Sequence, residues 1–193
     1  MKIYFDTEFT GLHKDTTLIS IGCVDENGRT FYAELTDYDK SQCDDWIQEN
    51  VIANLKFNKA AFVNFSDSTK SKWEVKSCKA DVKILFEKWL SAYDEVQFVS
   101  DVCHYDMVLL IDIFGHAFKL PKGINAACHD INQDIARFYG ISETEAFDKC
   151  RELILAENEI SINGIGVEGD KHNALYDAKV IKEIYHIILT TKQ

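Results

Sequence analysis

The sequence predicts an α/β fold built on a mixed sheet whose first three strands run antiparallel, with helices packed against it. Three observations lead there. Residues 1–36 carry three strand-like segments. Asn27-Gly28 separates the last two, a strong hairpin signal. Beyond residue 79, helical patterns alternate with short apolar strands, as expected when helices cover a sheet.

Taken in order, Ile3-Tyr4-Phe5 is a short strand leading into an acidic turn. Leu18 to Val24 is a continuous apolar run, and Arg29 to Leu35 alternates around Phe31 and Ala33. Helical patterns follow near 41–54 and 79–92. Val96 to Ser100 is a strand, and Val102 to Phe114 is a helix stopped by Gly115. Ala126 to Cys128 is a further strand, followed by a helix through Tyr139. Helices are expected at 143–156 and 173–190. With no repeat, linker or low-complexity tract, the 193 residues read as a single domain, 1–193.

Composition narrows the function. Hydrophobic residues make up 46% and charged residues 27%, which is ordinary for a globular chain. One proline and nine glycines exclude collagen-like or proline-rich architectures. No apolar run reaches the roughly 18 residues of a membrane span, and the first residues lack a secretory leader. Six dispersed cysteines without a CxxC pair are expected to be reduced, mostly buried thiols, which places the protein in the cytoplasm. Thirty-two acidic residues against 21 basic ones give −11. That balance argues against long-range electrostatic gripping of nucleic acid. It is compatible with an enzyme that meets phosphates through bound cations.

The chemistry lies in carboxylates at unusual places. Asp6 and Glu8 are two apart on a predicted strand, so both face one side, about 7 Å apart, while Ile3, Phe5 and Thr7 face the other. A divalent cation between them would offset their repulsion. Taken alone, the pair is equally well a strand ending in the polar turn Thr10-Gly11. Asp177 falls on the core stripe of the last helix with Ile181, Ile184 and Ile188. Asp106 lies in line with Leu109, Leu110 and Ile113. Singly, each could be a helix aspartate bonded to backbone or lysine. Together, four carboxylates converging on one sheet edge suit hard cations. His172 precedes Asp177 by five residues, about 140° round a helix, so it belongs on the entering loop, behind Gly164, Gly166 and Gly169, from where it could act as a general base.

These residues resemble the DEDDh 3′→5′ exonucleases of the ribonuclease H-like superfamily. Phe5-Asp6-Thr7-Glu8-Phe9-Thr10-Gly11-Leu12 is similar to the first motif, and Ser100 to Leu110 with Tyr105-Asp106 to the second. His172-Asn173-Ala174-Leu175-Tyr176-Asp177 is similar to the third. The chain looks nearest the small mycobacterial-type exoribonuclease branch. The resemblance implies a ribonuclease H-like sheet flanked by helices on both faces. It implies two Mg²⁺ or Mn²⁺ ions on Asp6, Glu8, Asp106 and Asp177, and His172 as the base that deprotonates the attacking water. It also implies that Thr7, Phe9, Thr10, Gly11 and Leu12 hold the 3′-terminal nucleotide, with Leu12 as a wedge against the base. The expected partner is single-stranded nucleic acid, RNA ahead of DNA, with no membrane and with a homodimer left open. A DNA exonuclease of the same chemistry, or a non-catalytic binding domain, is the alternative. Ser100-Asp101 stands where many relatives have His-Asn, and Asp101 either adds negative charge to the site or caps the following helix.

Two further signals carry less. Gly164 to Gly169 matches GxGxxG but has no following strand, so it reads as a loop. Residues 54–83 hold seven lysines against three acids, interleaved with Phe57, Phe62, Phe65 and Trp73. That mixture suits single-stranded nucleic acid; the preferred reading is a solvated connection with inward aromatics.

Overall fold

The computed structural model describes residues 1–58, 60–67, 71–158 and 170–191, with side chains of 64–67 and 191 left aside. Among the described residues, seven strands form one sheet: β1 (Lys2–Phe9), β2 (Leu18–Asp25), β3 (Thr30–Leu35), β4 (Val63–Asp67), β5 (Lys72–Ser77), β6 (Val96–Ser100) and β7 (Ile124–Asp130). Their order is β4-β5-β3-β2-β1-β6-β7. β1, β2 and β3 are antiparallel in sequence, and β2 turns into β3 through Asn27 and Gly28, whose φ is 88°. β5, β6 and β7 add in parallel to their inner neighbours, and β4 adds antiparallel at the edge.

Among the described residues, seven helices accompany the sheet: α1 (Asp45–Asn50), α2 (Lys79–Leu90), α3 (Cys103–Phe114), α4 (Ile131–Tyr139), α5 (Glu143–Asp148), α6 (Arg151–Glu157) and α7 (Ala174–Thr191). One core joins Ile3, Phe5, Phe31 and Phe98 to Phe86 and Trp89 of α2 and Leu110 of α3. A second, on the opposite face, joins Tyr4, Val24 and Val99 to α4, α6 and α7. Side-chain alternation along β1 sends its odd residues to the first core and its even ones toward α7. Fully burying one large apolar side chain is worth about 1.5–3 kcal/mol, so the two cores fix both helical layers against the sheet.

Four expectations need correction. The 41–54 helix is broken into α1 between two 3-10 turns, because Asp39 and Asp44 each bond a backbone N–H ahead and start separate short elements. Residues 143–156 form α5 and α6; Arg151 bonds the carbonyls of Ala146 and Lys149 at the break. The lysine-rich stretch is not a connection. It contributes β4 and β5, and Trp73 and Val75 pack into the first core. The cysteines are free, but Cys23 alone of the six is buried and Cys150 is exposed. The GxGxxG segment, Gly164 to Gly169, lies outside the described residues, as do Lys59 and Lys70. No described helix is long and apolar enough to cross a membrane.

Candidate active site

Pairing between β1 and β6 runs from Lys2/Gln97 to Tyr4/Val99. Beyond it the remaining half of β1 borders a cleft at the C-terminal ends of two parallel strands, where open α/β sheets bind their ligands. The cleft has a volume of about 360 Å³ and is lined by Asp6, Glu8, Asp177, His172, Trp46 and Leu12, among others.

α3 and α7 bring their aspartates to this end from opposite faces. Thr7, on the side of β1 away from Asp6 and Glu8, donates its N–H (3.2 Å) and hydroxyl (2.6 Å) to Asp106 Oδ1, and Ser100 Oγ donates to Oδ2. Asp106 is fully buried yet has donors on both oxygens. α7 reaches the sheet because β2 has glycine opposite Asp6. A Cβ on Gly22 would lie 2.2 Å from the backbone nitrogen of Leu175. Asn173 caps α7 by accepting from Tyr176 N at 3.3 Å. Its own Nδ2 donates to Asn54 O (3.1 Å), and Asn54 Nδ2 donates to Lys171 O (2.9 Å). The turn before α7 is thereby tied to the segment after α1. His172 sits in that turn in the left-handed region, φ 66°, with its N–H donated to Asp177 Oδ2 at 2.9 Å. Its ring meets the edge of Trp46, centroid to centroid 5.1 Å.

The four predicted carboxylates converge. Oxygens of Asp6, Glu8 and Asp177 lie within 4.8 Å of one another, and so do oxygens of Asp6, Asp101 and Asp106. Asp6 is 8% and Glu8 9% exposed, and among the described residues neither carboxylate has a hydrogen-bond or ion-pair partner. Burial, then Asp106, Glu8 and Asp177, push Asp6 well above the usual carboxylate range. Burial, then Asp177 and Asp106, do the same to Glu8. Burial raises Asp177 to about 8, with Asp101 adding to it. Asp106 is raised by burial to about 7, the hydrogen bonds from Ser100 and Thr7 opposing the rise. Unpartnered buried carboxylates are costly as anions. A hard, oxygen-seeking divalent cation removes that cost, and this donor set fits one.

The predicted nucleotide contacts divide. Phe9, Gly11 and Leu12 line the cleft, and Leu12 is 75% exposed. Thr10 is buried and bonds Thr16, Thr17 and Gln42, away from the cleft. Thr7 lines the cleft while its hydroxyl is spent on Asp106. Asp101 is not the helix cap, since Val102 occupies that position and Ser100 Oγ accepts its N–H. Sequence reading missed Trp46, Phe147 and Arg151, all on the cleft wall. Trp46 follows the acidic pair Asp44-Asp45, a tryptophan in a polar setting that was the available signal; its exposure, 52%, is shown only by the structure. Nothing in the sequence marks Arg151.

A family model described as "3′-5′ exoribonuclease Rv2179c-like domain" matches residues 1–189. The chain belongs to this family. The 3′-5′ exoribonuclease Rv2179c of Mycobacterium tuberculosis (strain ATCC 25618 / H37Rv) is 25% identical over 135 residues, 69% of this chain and 73% of the relative. The 3′-5′ exoribonuclease MT2234.1 of strain CDC 1551 / Oshkosh matches to the same extent. The fold is also that of the nuclease domain of 3′hExo, a DEDDh family member solved bound to rAMP. The TM-score is 0.66 at 12% identity, covering 98% of this chain and 92% of that one. The ribonuclease H-like mixed sheet expected from the motifs is therefore the observed fold.

Proposed function

We propose that residues 1–193 act as one exonuclease domain, a divalent-metal-dependent 3′→5′ exoribonuclease that hydrolyses single-stranded or 3′-overhanging RNA from its 3′ end, releasing nucleoside 5′-monophosphates. The observation that carries this reading is the pair of buried, unpartnered carboxylates Asp6 and Glu8, within 4.8 Å of Asp177 on one side and, through Asp6, of Asp106 on the other. In this reading Asp6, Glu8, Asp106 and Asp177 hold two Mg²⁺ or Mn²⁺ ions. When bound, such cations supply positive charge to the entering and leaving phosphate oxygens.

The chain's own residues do the rest. His172 accepts the proton of the attacking water. Burial, then Lys171, hold its pKa below the ordinary value, so the neutral, proton-accepting form dominates at neutral pH. The turn that carries it is fixed by Asn54 and Asn173 rather than by helical geometry. Leu12 and Phe9, on the cleft wall, offer apolar surface to the terminal base, and Trp46 and Phe147 offer aromatic faces, which bind bases with little regard to sequence. Family membership supports RNA over DNA.

Incubating 3′-labelled single-stranded RNA and DNA with Mg²⁺ or Mn²⁺ tests this reading. Labelled 5′-mononucleotide should appear first, faster from RNA, while circular strands stay intact and a 3′-phosphate slows entry. Cleavage of circular RNA would mark an endonuclease. Preference for DNA would move the substrate to DNA with the same chemistry. Absence of cleavage with either metal would leave a non-catalytic binding domain.

A further inference from the structure

Asp101 is the residue that the motifs leave unexplained, and its surroundings are built with care. One of its carboxylate oxygens lies within 4.8 Å of oxygens of Asp6 and Asp106. Its Oδ2 accepts from Arg151 Nε at 2.9 Å, and both side chains are mostly buried, 16% and 13% exposed. Arg151 has no freedom left. Its other nitrogens donate to the carbonyls of Ala146 (2.8 Å) and Lys149 (2.7 Å) and to Asn132 Oδ1 (2.6 Å). Asn132 is buried and returns its Nδ2 to the Asp101 carbonyl at 2.7 Å. Four elements, α4, α5, α6 and the end of β6, thus fix one carboxylate beside Asp6 and Asp106.

We propose that Asp101 is a fifth carboxylate ligand of the centre, completing an oxygen triad with Asp6 and Asp106, and that Arg151 is the positioning residue that sets its orientation. The inference rests on the metal-dependent reading above. A simple ion pair would not need to sit against two further acids. One guanidinium offsets one of five carboxylates, and among the described residues no side-chain cation is bonded to the other four. Asp6, nine-tenths buried and unpartnered, faces both triads. Hydrogen bonds from outer residues orient the carboxylates that ligate a metal, and Arg151 Nε supplies one to Asp101.

Mn²⁺ titration of the full-length protein, without substrate, tests this through calorimetry and loss of the free-ion paramagnetic signal. Asp101→Asn should lose one Mn²⁺ equivalent or bind it at least about tenfold more weakly, with its melting temperature in EDTA unchanged or raised. Arg151→Lys keeps the charge but not the planar fork, and should weaken Mn²⁺ binding about 10–100-fold. If Arg151→Lys does not fold, Asp101→Asn decides alone. Wild-type Mn²⁺ stoichiometry and affinity in Asp101→Asn, with Asp6→Asn defective, would overturn the inference and leave a structural ion pair. Wild-type binding in Asp6→Asn as well would instead remove the metal centre on which it rests.

Discussion

Two groups of buried acids on the same sheet have opposite surroundings. On β5 and β3, Glu74 and Glu34 sit among lysines. Glu74 is within 2.7 Å of Lys56 and 2.8 Å of Lys72, and Glu34 lies 3.6 Å from Lys76. Burial pushes Glu74 upward, but hydrogen bonds and charge from Lys56 and Lys72 outweigh it and hold its pKa below the ordinary range. At the C-terminal end of β1, Asp6 and Glu8 are also buried, with no lysine bonded to them among the described residues, and both are pushed well up. A buried acid that brings its own cation serves the fold. One that does not is stabilised only by a proton or by a cation from outside. Three of the seven lysines in the lysine-rich stretch lie on this side: Lys56 and Lys72 pair with Glu74, and Lys76 sits 3.6 Å from Glu34 while donating to the Phe57 carbonyl.

Breaking the unpaired side should have the larger consequences. Asp6→Asn should abolish cleavage while the fold persists, and its melting temperature in EDTA should rise slightly as repulsion falls. Unchanged turnover in a metal-supplemented assay would remove the distinction between the two groups of acids. Gly22→Ala should come next. Its Cβ would lie 2.2 Å from the backbone of Leu175, so α7 must shift, carrying Asp177 away from Asp6 and Glu8. Both activity and melting temperature should fall, and a variant matching wild type in both would show that α7 need not be so close.

His172→Ala should lose about 10²–10⁴-fold in single-turnover rate and keep Mn²⁺ binding and melting temperature, because the capping side chain of α7 is Asn173. The wild-type rate should rise with pH through a limb lying below the ordinary histidine value near 6.5, as burial and Lys171 require, and the variant should lack it. A large stability loss with little kinetic change would assign His172 to the fold instead.

The comparison also has a pH signature. Carboxylates raised in the folded state bind protons more tightly there than in the unfolded chain. Their contribution is therefore fully present below about pH 4, the unfolded value, and is lost as pH rises through about 7 for Asp106 and about 8 for Asp177. In EDTA the melting temperature should decline across that window, and Mg²⁺ or Mn²⁺ at pH 8 should restore it. A melting temperature indifferent to metal at pH 8 would contradict this account. The smallest effect belongs to the paired side. Glu74→Gln leaves two partly exposed lysines that water can solvate, so it should cost only about 1 kcal/mol in urea unfolding and leave the cleavage rate unchanged.

Much of this was legible in the sequence because it follows from local periodicity. The β1–β2–β3 meander, the glycine stop after α3 and the core stripe of α7 come from alternation, turn chemistry and helical spacing over a few residues. The same periodicity exposed Asp6, Glu8, Asp106 and Asp177, as acids standing where apolar side chains belong. What it could not resolve were strands disguised by composition. β5 alternates through Trp73 and Val75, but its lysines gave it the look of a solvated connection until Glu34, 42 residues from Lys76, was brought beside it on β3. Thr7 and Thr10 likewise read as substrate contacts from their place beside the acidic pair. Both hydroxyls are instead held inward, by Asp106 and Gln42, contributed by other elements.

The sequence by itself determined which acids of the site are anomalous and on which element each lies, since a carboxylate on an apolar stripe or in a strand is visible in pattern alone. The tertiary structure decided how those anomalies are shared out. It gave lysines to Glu34 and Glu74 and an arginine to Asp101, and among the described residues it left Asp6 and Glu8 without a side-chain partner. That division depends on distances between segments far apart in the chain, such as Thr7 and Asp106, separated by 99 residues. Only closure of the sheet and docking of α3 and α7 on its two faces fix such distances, because electrostatic pairing falls off over a few ångströms while sequence separation says nothing about proximity.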